Sequence, residues 1–341
     1  MKITSVEWER KRFRLKQKLF FDGKLCEHRD VYNFQIKTSG GISGIGEAVI
    51  LESHGTESAA ELEFSLNTLK KKIIGCDLSE KFFSNLSLFN SLSKTPAVRN
   101  AFEQAVLNIC LQYSENLEKI FNRKLNTSLL LNDFIPALPE LETLDLLREK
   151  INLGFNVFKL KTGKKNFSEI FQLLEKIKKT FPEIKLRIDP NCNWKLEEVL
   201  PLIDKFENYN IDYIEQPVSK KEDLILLQDK TKIPIAADEL VTSVKEVKEL
   251  ISSGIKIIIL KPVTIGGICN SVDCINYAEK NNARVVITSS FESNTGMQIP
   301  VIAAGLINEK ENHGLNTSHF LLDNSPSSFW TIQNNLLKIN I

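Results

Sequence analysis

The chain has 341 residues, a formal net charge of +1 and 26% charged residues. Such a balance leaves no basic excess to hold nucleic-acid phosphates, and no run approaches the roughly 18 apolar residues of a membrane-spanning helix. Hydrophobic content of 42% is that of an ordinary soluble protein, and the length suits one large or two modest domains.

The start, Met1-Lys2-Ile3-Thr4-Ser5-Val6, carries no apolar signal-peptide core. The six cysteines, at 26, 76, 110, 192, 269 and 274, include no C-x-x-C pair, so reduced thiols in a cytoplasmic protein are expected.

Residues 1–50 alternate as strands do. Tyr32, Phe34 and Ile36 share one face, Ser39-Gly40-Gly41 supplies a turn, and residues 42–50 return, predicting a three-stranded antiparallel sheet. Residues 15–27 are polar and irregular and read as a loop, either a plain connector or a flap able to reach over a neighbouring site. Residues 57–72 and 97–118 have apolar residues at helical spacing, and Pro96 suits the first turn of the second helix. Residues 1–123 thus read as an α+β domain.

From Leu125 a period of about 25 residues begins, the length that one strand, one helix and two short loops require. Candidate strands begin at residues 127–132. Predicted helices cover 143–153, 166–179, 195–209, 222–231, 244–253 and 268–282. Residues 285–290 make a seventh strand and 313–317 a weaker eighth. Residues 124–317 therefore read as an α/β barrel of eight strands alternating with helices. The tail, 318–341, is expected to pack back on the N-terminal domain.

Five strand-like runs end in charge: Lys161, Asp189, Glu215, Asp238 and Lys261, spaced 23 to 28 residues apart. A lone Asp there is an ordinary helix cap and a lone Lys an ordinary surface group. Five in one register instead predict a polar site at one face of a parallel barrel. Three convergent carboxylates repel one another unless a cation lies between them, and oxygen ligation suits Mg²⁺ or Mn²⁺. Lys159 and Lys161, two apart, share a strand face, and Lys261 comes from across the barrel. A lysine on each side of a metal-held carboxylate is placed to move protons at its α-carbon.

These pieces resemble a known family. Lys159-Leu160-Lys161, Asp189-Pro190-Asn191, Glu215-Gln216-Pro217, Ala237-Asp238-Glu239 and Lys261-Pro262 with Gly266-Gly267 resemble the enolase superfamily, muconate-lactonizing subgroup. Gly44-Ile45-Gly46-Glu47 and Pro96-Ala97-Val98-Arg99-Asn100-Ala101 resemble its capping-domain signatures. The resemblance implies a (β/α)7β-type TIM barrel with an N-terminal capping domain. A lysine on the sixth strand sets aside the mandelate-racemase pattern, since none of His28, His54, His313 and His319 lies on strand six or seven.

Ser289-Ser290-Phe291-Glu292-Ser293-Asn294-Thr295-Gly296-Met297 and His313-Gly314-Leu315-Asn316-Thr317 are similar to stretches of the o-succinylbenzoate synthases, with Asn316 where Asp is common. That resemblance implies a carbon–oxygen lyase acting on 2-succinyl-6-hydroxy-2,4-cyclohexadiene-1-carboxylate in menaquinone biosynthesis. Lys161 would be the base and Lys261 the opposing cation, with Asp189, Glu215 and Asp238 on Mg²⁺. Lys159, Asn191, Ser289, Ser290 and Glu292 would contact substrate. The same scaffold also accommodates a racemase or epimerase of N-acylamino acids or dipeptides, or, in a different class, a catalytically dead metal-binding barrel. An oligomer is compatible with the sequence.

Overall fold

The computed structural model describes residues 1–21, 24–113 and 116–340. The N-terminal sheet has three antiparallel strands, β1 (Ile3–Phe21), β2 (Lys24–Thr38) and β3 (Ser43–Val49), in that order. The expected loop at 15–27 is instead largely strand: β1 and β2 extend into a long hairpin, irregular between Arg14 and Leu19. Polar composition misled there, because a hairpin projecting from a sheet needs little apolar alternation. Asp22 and Gly23 of that stretch lie outside the described residues.

Helix α1 (Ala59–Ile73) begins at a capping box in which Ser58 and Glu61 satisfy each other's backbone amides. The short α2 (Leu86–Asn90) leads to α3 (Pro96–Leu111), with Pro96 in its first turn as expected. The sequence expectation ran α3 on to 118. The structure ends it at Leu111 and starts α4 (Leu117–Phe121) separately, while Ser114 and Glu115 lie outside the described residues.

Strand β3 lies directly on α3. A Cβ at Gly46 would sit 1.8 Å from the Ala101 carbonyl oxygen, and one at Gly44 would sit 1.9 Å from that of Ala105. The two capping-domain signatures are thus two sides of one backbone contact, which only glycine permits.

The barrel follows. Its first strand is broken at Asn132 into β4 (Ser128–Leu131) and β5 (Asp133–Ile135). Then come α5 (Glu140–Asn152), β6 (Val157–Lys161), α6 (Phe167–Thr180) and β7 (Lys185–Asp189). Next are α7 (Leu196–Val199), β8 (Ile211–Glu215), α8 (Lys221–Gln228), β9 (Ile235–Ala237), α9 (Val244–Ser252) and β10 (Ile257–Leu260). The short α10 (Pro262–Ile265), α11 (Ile268–Lys280), β11 (Arg284–Ile287), α12 (Gln298–Gly305) and β12 (Asn312–His313) complete the barrel elements.

Strands β5 to β11 form one parallel sheet in chain order. A bridge from Thr288 to Gly314 links the end of β11 to β12, and β12 pairs in parallel with β4, so the ring closes. Helix α6 shows why the outer layer forms. Asn166 and Glu169 cap it, and Ile170, Leu173, Leu174 and Ile177 are buried against the barrel, each contributing about 1.5–3 kcal/mol.

The expected helix at 195–209 is only α7 followed by a 3-10 stretch at Leu200–Asn208. Pro201 lacks the N–H that an α-helix needs there.

The tail divides. Leu321 bridges Leu15, and the Leu322 N–H donates to the Arg14 carbonyl at 2.9 Å, so this part touches the β1–β2 hairpin. Beyond it, β13 (Trp330–Gln333) and β14 (Leu336–Ile339) form a hairpin whose second strand pairs with β4 of the barrel. No helix among the described residues is long and apolar enough to cross a membrane.

Candidate active site

Alternation places the site. Lys159 pairs in register with Arg187 and Lys161 with Asp189, so both lysines point to the barrel interior with their neighbours. Arg187 lies lower in the lumen, 1% exposed. It is bonded to Asp212 at 2.9 Å, Glu311 at 2.5 Å and Asn132 at 2.9 Å. Its charge is matched, and it floors the site.

Above it the expected charged residues meet. Lys159 Nζ lies 2.8 Å from Asp189 Oδ2 and 2.5 Å from Glu215 Oε1. Lys161 Nζ lies 2.5 Å from the same Asp189 oxygen, and Lys261 is hydrogen-bonded to Asp238 from the far side. Asp189, Glu215 and Asp238 are all buried.

The electrostatics follow from this crowding. Burial pushes Asp189 up, but Lys159 and Lys161 together hold it down at about 2. Burial raises Glu215 to about 8, against the pull of Lys159 and with the added repulsion of Asp189 and Asp238. Asp238 is driven well below the carboxylate range, where Lys261 and then His54 outweigh burial. Lys159, despite burial, is held well above its ordinary value by Asp189, Glu215 and Asp238.

The donor set fits a hard divalent cation. Two of the acids already converge on one cationic nitrogen, so they reach a single ion-sized point. Glu215 Oε2 is buried with no hydrogen-bond partner among the described residues, a cost that a bound ion would remove.

The other expected contacts are placed as follows. Asn191, in a left-handed conformation at φ +48°, accepts from Lys161 at 2.8 Å and donates to Glu239 at 3.2 Å. It therefore orients the lysine. Ser289 is hydrogen-bonded to Thr317, tying the loop after β11 to the one after β12. The Ser290 hydroxyl is buried and has no hydrogen-bond partner among the described residues. The Glu292 carboxylate accepts the Ser290 N–H at 2.5 Å and braces that turn.

Sequence reasoning missed several neighbours. His54 Nε2, from the N-terminal domain, lies 3.7 Å from Asp238 Oδ2, and with Glu239 it forms a cluster whose ligand atoms lie within 4.8 Å. Glu239 was legible as the residue after Asp238. His54 carries no local signal. Gln216, at φ +36°, accepts the N–H groups of Asp238 and Leu240 and so fixes the loop after β9.

An aromatic arc was also missed. Phe134 is the register partner of Lys159. Its ring lies 5.5 Å from that of Phe320, which lies 6.3 Å from Phe291. Leu15, Leu19 and Leu321 pack with these rings. The mouth therefore carries charge over β6–β10, and aromatic rings together with Ser289, Ser290 and Thr317 over β11, β12 and β5.

Fold and site together define a TIM-barrel enzyme with a capping domain. The chain belongs to the enolase superfamily: residues 142–328 match the family described as enolase C-terminal domain-like.

Among curated relatives, it is 27% identical to an L-Ala-D/L-Glu epimerase of Clostridium acetobutylicum, over 72% of this chain and 70% of that one. It is 26% identical to the chloroplastic protein PHYLLO of Arabidopsis thaliana, over 84% of this chain but only 18% of that much longer one. An o-succinylbenzoate synthase of Listeria innocua is 30% identical over 45% of this chain and 41% of its own.

Two solved structures share the fold. The L-Ala-D/L-Glu epimerase from Bacillus subtilis, in complex with substrate, superposes with a TM-score of 0.90 at 21% identity, covering 100% of this chain and 97% of that one. The dipeptide epimerase from Methylococcus capsulatus, complexed with Mg and the dipeptide L-Arg-D-Lys, gives 0.88 at 22% identity, covering 100% and 98%.

Proposed function

We propose that this chain abstracts the α-proton of a carboxylate substrate and dehydrates it, as an o-succinylbenzoate synthase. The observation that carries the reading is the divided mouth: ammonium and carboxylate groups along β6–β10, aromatic rings over β11, β12 and β5. A carboxylated cyclohexadiene has one charged edge for the first arc and a ring for the second.

Asp189, Glu215 and Asp238 would hold Mg²⁺, or Mn²⁺; the Methylococcus capsulatus dipeptide epimerase that shares this fold is complexed with Mg. Bound there, the ion supplies a Lewis acid for the substrate carboxylate. Lys161 takes the proton from C1. Lys261, across the site, opposes the negative charge that the enediolate accumulates. The new ammonium of Lys161 returns that proton to the hydroxyl leaving C6, so water departs from the same face and a C=C bond forms. The products are 2-succinylbenzoate and water, and gain of the aromatic ring drives the step forward. Asn191 and Glu239 hold Lys161 in line.

A second reading, epimerisation of a dipeptide or N-acylamino acid, is favoured by the relatives. The Clostridium acetobutylicum epimerase aligns over 72% of this chain, the Listeria innocua synthase over 45%. It uses the same two lysines, each serving one enantiomer. Steady-state assay of the Mg²⁺-loaded protein with the cyclohexadiene, with N-succinylamino acids and with L-Ala-L-Glu separates the two. Aromatic product supports dehydration; fast epimerisation with no aromatic product establishes the second reading instead.

A further inference from the structure

Of the three rings in the apolar arc, Phe291 is held in a backbone conformation that bulky residues avoid, at φ +58°. The restraint comes from the other domain. Arg29 on β2 is 5% exposed. It donates from Nη2 to the Ser290 carbonyl at 2.7 Å, from Nε to the Phe291 carbonyl at 3.3 Å and from Nη1 to the Ile50 carbonyl at 2.8 Å. On the other side of the turn, Glu292 takes the Ser290 N–H. The turn is thus gripped at two carbonyls and one amide. A guanidinium suits this, because its donors are fixed in one plane and can serve three acceptors at once. The strained turn carries the Phe291 ring to Phe320, in the arc that begins at Phe134 beside Lys159.

We infer that Phe291 determines selectivity for a ring-bearing substrate, and that Arg29 is the positioning residue that aims it across the domain boundary. The inference rests on the dehydratase reading and deepens it. An aromatic ring at the arc gains offset or edge contacts with Phe291 that an aliphatic side chain of similar size does not.

The test measures affinity by calorimetry, in Mg²⁺-loaded protein, for 2-succinylbenzoate and for N-succinylvaline as the ringless control, together with kcat and KM for the cyclohexadiene. Phe291→Ala is expected to weaken 2-succinylbenzoate about tenfold, to raise KM by a similar factor with kcat little changed, and to leave N-succinylvaline within about twofold. Phe291→Gly, which adopts positive φ freely, should show the same selectivity loss with a Tm at least as high as that of Phe291→Ala. It also serves if the alanine variant fails to fold. Arg29→Met should reproduce the selectivity loss, and the double variant with Phe291→Ala should be no worse than Phe291→Ala alone.

Equal weakening of both ligands, or none, overturns the role of Phe291. Additive losses in the double variant overturn the role of Arg29. If the wild-type protein does not convert the cyclohexadiene, the dehydratase reading fails on its own account. The two-ligand affinities then still decide whether Phe291 selects for a ring.

Discussion

Glu47 offers a direct measurement of what the seam between the two domains costs. It is 0% exposed within β3, and it accepts hydrogen bonds from the Ser293 backbone at 2.8 Å and from the Ser293 hydroxyl. Burial raises it from 4.5 to about 7; the two Ser293 bonds pull it down, Glu292 pushes it up and Arg29 pulls it down again. A carboxyl raised in the folded state stays protonated there while the unfolded chain has already ionised. The resulting stability is complete below the unfolded value of 4.5 and is lost as pH rises through about 7. At about 1.4 kcal/mol per unit, the shift corresponds to a loss of about 3 kcal/mol. Glu47→Gln keeps an acceptor for the Ser293 N–H and cannot ionise. Urea midpoints at pH 4.5, 5.5, 6.5 and 8 should therefore show the glutamine variant gaining on the wild type as pH rises, by about 3 kcal/mol in total. A difference that stays constant across that range would refute the assignment of a buried, raised carboxyl at this position.

Lys161→Ala should retain the fold by circular dichroism and lose turnover by a factor on the order of 10³, along with solvent-deuterium exchange at the substrate α-carbon. Chelation with EDTA should abolish activity, and Mg²⁺ or Mn²⁺ should restore it. In thermal melts, Mg²⁺ at a hundredfold excess over its Kd should add about 2.7 kcal/mol of stability. Gly46→Ala drives a methyl to within 1.8 Å of the Ala101 carbonyl. It should force β3 off α3 and lower Tm by roughly 10 °C or more, a loss of several kcal/mol.

The barrel was legible because strand, helix and charge repeat together. Lys161, Asp189, Glu215, Asp238 and Lys261 sit at matching ends of consecutive repeats, and the structure brings all five to one mouth. Register at a strand end is a local property, so a linear reading recovers it. The hairpin at 15–27 was not legible, since its strands pair mainly with each other and lack the alternation of a half-buried sheet. Pro201 carried a signal that the helical pattern around it obscured. His54, Arg29 and the arc of Phe134, Phe291 and Phe320 lay beyond reach for a different reason. Each takes its place through a partner far along the chain, and nothing in the neighbouring residues marks it.

The grip of Arg29 on the Phe291 turn joins positions 262 residues apart. A barrel expressed without its first fifty residues would retain every acid and every lysine of the mouth, yet the carbonyls of Ser290 and Phe291 would lose their donor. The two halves are therefore not interchangeable parts. A chimera that pairs this barrel with a relative's cap should inherit the chemistry from one parent and the fit to substrate from the match between both.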